Sequence, residues 1–153
     1  MATCFVDLVD QPIDIDSLRN RVDDADVGAH GWFYGVTRRT TQQAGDQPQI
    51  TASLCYEAHR PMAIRELQAL ADRAIEKFGL AHVVLVHRLG DVPIGQASVV
   101  VGCSSAHRSA TFAALQWMME TLKRDVPIWK RETYDDGRRV WVHPNDPSAS
   151  GKQ

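Results

Sequence analysis

The chain has 153 residues, 44% of them hydrophobic and 24% charged, with a formal net charge of -2 at pH 7. That size suits one hydrophobic core rather than two domains, and the near-neutral charge supplies no global field for nucleic acid or an anionic membrane. Cys4, Cys55 and Cys103 are widely spaced and form no Cys-x-x-Cys pair, which argues against a disulfide framework or structural zinc and fits a reducing cytoplasm.

The first ten residues hold no basic segment followed by a long apolar run, and no apolar stretch nears the ~18 residues of a membrane helix. A soluble, unsecreted chain is expected. Residues 4–9 form a short apolar run suited to an edge strand, and Asp16-Ser17 before Leu18, Arg21 and Val22 suits a brief capped helix. Residues 29–36 are aromatic and apolar around Gly31 and Gly35, as in a strand whose glycines allow close backbone approach or a bulge. Arg38 lies just past its end. Residues 39–49 are polar, with Gly45-Asp46 and Pro48, and read as a mobile loop able to serve as a lid.

Residues 50–57 alternate, with Ile50, Ala52, Leu54 and Tyr56 on one side of a strand. Pro61 then opens a helix in which Ala63, Leu67, Leu70, Ala71, Ala74 and Phe78 recur at helical spacing, up to Gly79. Residues 81–86 and 97–102 are valine-rich buried strands separated by a turn-rich stretch, 90–95. Ser104 or Ser105 is placed to cap a long helix that Pro127 ends, with backbone N–H groups, His107 and Arg108 at its anion-favouring start. Residues 128–134 and 138–142 flank Asp136-Gly137, the signal for a two-residue hairpin turn. Alternation puts Lys130 and Glu132 on one face and Arg131 on the other. These elements give an α+β fold, a mixed and antiparallel sheet packed with two main helices plus a C-terminal β-hairpin. Residues 1–144 are expected to form a single domain and 145–153 a disordered tail.

The order Ser105-Ala106-His107-Arg108, then Leu122-Lys123, then Val126-Pro127-Ile128-Trp129-Lys130-Arg131-Glu132 resembles the large, catalytic subunit of molybdopterin synthase, the MoaE type. Phe33-Tyr34-Gly35-Val36-Thr37-Arg38 is similar to that family's Phe-x-Gly-x-x-Arg strand end. Tyr56-Glu57-Ala58 with Pro61-Met62-Ala63, and His87-Arg88-Leu89-Gly90, match two further motifs, so the likeness runs over residues 31–142. The resemblance implies an α/β-hammerhead-like fold. It also implies conversion of a cyclic pyranopterin monophosphate into molybdopterin, with two sulfurs inserted as a dithiolene. Each sulfur comes from the thiocarboxylated Gly-Gly terminus of a small partner subunit, and this chain, ending Gly151-Lys152-Gln153, is not expected to be its own donor.

Carried onto this sequence, the likeness makes Lys123 and Lys130 catalytic. Val36, Thr37, Arg38, His107, Arg108, Arg131 and Glu132 join both lysines in binding substrate, and Phe33 and Met119 wall the pocket. No metal and no cofactor is implied, although the product later holds molybdenum. Two lysines held close depress each other's proton affinity, which lets Lys123 act as a neutral general base or transient acyl acceptor while Lys130 stays charged and Glu132 holds it.

Helix geometry adds an expectation. Arg108, Phe112, Met119 and Lys123 share one stripe, yet Arg108 and Lys123 stand roughly 22 Å apart along the axis. One small ligand does not touch both. A homodimer resolves this, each site taking Lys123, Lys130 and Arg38 from one chain and His107 and Arg108 from the other, with the small subunits completing a heterotetramer. Ordinary roles compete residue by residue: a lysine at a helix C-terminus is commonly a solvated dipole partner, and Arg131 and Glu132 suit a cross-strand salt bridge. His87 and Arg88 are read as structural, Trp117, Trp129 and Trp141 as core or interface, and Cys103 as an inert strand-end thiol despite its nearness to His107. Two other classes remain, a noncatalytic module binding a phosphorylated small molecule and a partner that only docks a ubiquitin-like protein.

Overall fold

The computed structural model describes residues 1–41 and 47–142. Its first sheet has the order β1 (Thr3–Val9), β5 (His82–Arg88), β7 (Ala97–Ser105), β2 (Ala29–Val36). β1 runs parallel to β5 and the other pairs are antiparallel. The valine-rich strands are buried on both faces because both faces are covered, and successive side chains feed two separate cores. Val83, Leu85, Val99 and Val101 pack with Leu67 and Leu70 of α2 (Arg60–Phe78) and Met118 of α3 (Arg108–Asp125). Val84, Val86 and Val100 meet Leu18 of α1 (Ile15–Leu18) and Val22 of the 3-10 turn Arg19–Val22. Each such buried side chain contributes about 1.5–3 kcal/mol.

Gly31 lets α3 lie close on β2: a Cβ there would meet Thr111 Cγ2 at 2.3 Å and Leu115 Cδ1 at 2.7 Å. Between Gly35 and Val36 the register shifts, and a Cβ on Gly35 would meet Val99 Cγ1 at 2.6 Å, so Gly35 serves both expected uses, close approach and bulge.

The second sheet joins β3 (Thr40–Thr41), β4 (Gln49–Ala58), β8 (Ile128–Tyr134) and β9 (Arg139–Val142), and β6 (Gly90–Pro93) also pairs with β4. Several expectations are corrected here. The stretch 90–95 is not turn alone, since its first part is β6, placed against β4 by the positive φ of Gly90 and Gly95. The alternation in β4 breaks at a bulge between Thr51 and Ser53, leaving Ile50 exposed and Thr51 buried while Leu54 stays in the core. The hairpin is not a two-residue turn: Tyr134 N–H donates to Arg138 and Gly137 N–H to Tyr134, closing a three-residue loop with Gly137 at φ +86. One left-handed glycine serves that loop, whereas a type I′ two-residue turn needs positive φ at both of its central residues.

Helix caps differ too. Asp14, slightly earlier than expected, caps α1 by accepting from Ser17 N–H at 3.3 Å. Neither Ser104 nor Ser105 caps α3. Both lie buried in β7, and His107 occupies the cap position without a side-chain capping bond. The β7 ladder runs three residues further than residue 102 and so consumes the serines. Of the proposed lid, Thr40–Thr41 is strand β3 and residues 42–46 lie outside the described residues, as does the tail 145–153. Among the described residues no helix is long and apolar enough to cross a membrane.

Candidate active site

α3 stops at Asp125 because Pro127 lacks the N–H a further turn needs; Val126 N–H still reaches Leu122 at 3.0 Å, and the chain enters β8 at Ile128. This corner brings Lys123, on the last turn of α3, toward Lys130, the third residue of β8. Arg38 arrives from the link between β2 and β3. Burial pulls the Lys123 amine below its ordinary value of 10.5, and the charges of Lys130 and Arg38 push in the same direction. Lys123 keeps substantial exposed surface, so its amine is crowded at the protein surface rather than sealed in a cavity. A cation repelled by two others and partly desolvated gives up its proton more readily, which is what a base or nucleophile requires.

Lys130 is fixed by a carboxylate two residues on. Its Nζ lies 3.1 Å from Glu132 Oε1, with the two side chains 33% and 10% exposed. Glu132 also accepts the Tyr134 hydroxyl at 2.7 Å, and Tyr134 is pushed up to about 12 by burial and then by that bond. The alternation places 130, 132 and 134 on one face. Tyr134 is absent from the sequence-predicted site, although the same period that finds Glu132 extends to it. Arg131, on the other face, holds its guanidinium 5.4 Å over the Trp141 ring, and its Nε is buried with no acceptor among the described residues.

His107 and Arg108 stand at the opposite end of α3, both exposed. Ser105 Oγ donates to the His107 carbonyl at 2.7 Å and meets Thr111 Oγ1 at 2.6 Å, tying the helix start to the strand end. The helix is unbroken over its 18 residues, so this pair is not brought to the lysines within one chain. Along the connecting stripe Phe112 is 69% exposed and Met119 half-buried. Phe33 is partly exposed and Val36 more so, while Thr37 is buried with both main-chain groups bonded to the 95–96 turn. Two shallow recesses, of about 240 Å³ beside Asp24 and Leu80 and about 460 Å³ beside Pro48 and Asp136, are lined by none of these residues. Cys103 is fully buried and pushed up to about 12 by that burial, so it is an inert thiol.

The MoaE protein family matches residues 8–125. The chain belongs to the MoaE family. A molybdopterin synthase catalytic subunit of Aspergillus niger is 37% identical over 147 residues, covering 96% of this chain and 79% of that one. The crystal structure of molybdopterin synthase from Staphylococcus aureus superposes with a TM-score of 0.78 at 32% identity, over 88% of this MoaE chain and 94% of that chain. The same fold, at 18% identity and a TM-score of 0.70, occurs in a complex of subunits 1 and 2 of molybdopterin-converting factor from Helicobacter pylori, covering 92% of each chain. This chain's α+β architecture, which includes the β8–β9 hairpin, therefore follows the fold of solved molybdopterin synthase structures.

Proposed function

We propose that this MoaE chain is the catalytic subunit of molybdopterin synthase, an enzyme of molybdenum cofactor biosynthesis acting as a sulfurtransferase. The observation that carries the reading is the convergence of Lys123, Lys130 and Arg38 from three separate elements, with Lys123 driven toward its neutral form. The substrate is a cyclic pyranopterin monophosphate, and the sulfur donor is the thiocarboxylated Gly-Gly end of a small subunit. Both are anionic, which suits a surface of lysines and arginines. Lys123 serves as base or transient acyl acceptor, Lys130 holds the incoming tail, and Arg38 receives negative charge. His107 and Arg108 come from a second copy of the chain, because the unbroken helix keeps them roughly 22 Å from Lys123 along its axis. The assembly is a homodimer flanked by two small subunits, and the three free thiols of each copy of this chain suit the cytoplasm. Incubating the purified chain with a thiocarboxylated partner and the pterin precursor yields a dithiolene product. A chain that binds both and forms none is a docking or binding module instead.

A further inference from the structure

Arg88 is buried at a cost that packing alone does not explain. It is 8% exposed at the end of β5, and among the described residues it has no carboxylate partner. One Nη donates to Gln96 Oε1 at 2.6 Å, and its Nε is buried with no acceptor among the described residues. A buried guanidinium without a counter-ion is destabilising, so an apolar residue would serve packing better. What the guanidinium does hold is the turn that enters β7. Gln96 in turn accepts Thr37 N–H at 3.1 Å through its main-chain carbonyl, and Gly95 N–H donates to the Thr37 carbonyl at 2.9 Å. On the far side, Thr51 N–H donates to the Arg39 carbonyl at 2.7 Å. Arg38 is thus the middle residue of a segment clamped at both neighbours.

We propose that Arg88 is a positioning residue for Arg38: its guanidinium locks Gln96, the 95–96 turn brackets Thr37, and the bracket delivers Arg38 to the two lysines. This deepens the proposed role of the lysine cluster and rests on it. The exposed Arg38 side chain has no hydrogen bond or ion pair of its own among the described residues, so backbone clamping is what fixes its direction. Arg88 is not itself among the charges that act on Lys123; Lys130 and Arg38 are. Loss of Arg88 therefore reaches Lys123 only through Arg38.

The test reads the Lys123 amine directly, by carbon-13 NMR titration of the full chain after reductive methylation, with the signal assigned from Lys123→Arg. Arg38→Met removes a charge that lowers Lys123, so the Lys123 titration moves to higher pH. Arg88→Met moves it the same way, and Arg88→Lys, which keeps one donor for Gln96, moves it less. A folded Arg88→Met chain whose Lys123 titrates as in the wild type overturns the proposal. Should Arg88→Met fail to fold, Gln96→Ala, at an exposed position and without change of charge, takes its place: a Lys123 titration moved to higher pH supports the proposal and an unmoved one overturns it. In the dithiolene assay Arg88→Met loses up to about a hundredfold in kcat, as expected when a charged group is misplaced by an ångström or so, and its rising pH limb moves to higher pH. A wild-type chain that forms no dithiolene overturns the functional reading, while the NMR titration still decides whether Arg88 places Arg38.

Discussion

An amine set among cations is a better base at neutral pH than an amine in water, since deprotonation relieves repulsion as well as desolvation. Lys123 is in that position, and its pH behaviour follows. Dithiolene formation rises with pH through a midpoint below the ordinary lysine value, and Lys130→Met, by removing one lowering charge, moves that midpoint to higher pH while slowing the reaction. Lys123→Ala abolishes product yet leaves the melting temperature unchanged or higher. Its folded-state value lies below its unfolded one, so the amine stabilises the fold only above the unfolded value and at neutral pH works against it. A fall in melting temperature with retained activity discards the assignment. At this scale the sequence is informative where a period or motif carries the residue: Lys123, Lys130 and Glu132 sit as the helix end and strand alternation require. The positioning role of Arg88 is hidden from it, because neither burial nor the lack of an acid partner is visible in a string of letters.

Between elements, the join of the two sheets is the sensitive point. Tyr56 of β4 meets His87 of β5 edge to face with ring centroids 4.9 Å apart, and His87 Nδ1–H donates to the Arg88 carbonyl at 2.8 Å. Burial lowers His87 from 6.5 to about 4. A depressed folded value means the stabilisation is complete above the unfolded value and lost as pH falls through the folded one, here between about 6.5 and about 4, worth roughly 3 kcal/mol. His87→Leu removes that acid slope in denaturant titrations across the window, and a slope unchanged from wild type rules the histidine out as its source. The helices and main strands are legible because amphipathic period and proline or glycine stops are local signals. What escapes is non-local. β6 exists because β4 offers it an edge, the β4 bulge turns Thr51 inward and Ile50 outward, and the serines before α3 are taken by the β7 ladder before they can cap anything.

For the molecule as a whole, the governing fact is that α3 is one unbroken helix with cations at both ends. At 1.5 Å per residue its ends are too far apart for one pterin, so a two-ended site needs two such helices. This makes a prediction that no single-chain site shares. A chain carrying Lys123→Ala and a chain carrying Arg108→Ala are each inactive as homodimers, because each spoils both composite sites. Mixed and allowed to exchange, they form heterodimers in which one site has lost both groups and the other has lost neither. With random pairing half the dimers are mixed and each holds one intact site, so activity returns to about a quarter of the wild-type level at equal total protein. Sites contained within one chain recover nothing on mixing. The exposed Phe112 beside Arg108 lies on the stripe that such a contact covers, and Phe112→Asp is the companion variant: it leaves every reacting group in place, yet lowers the recovered activity if the second helix packs there.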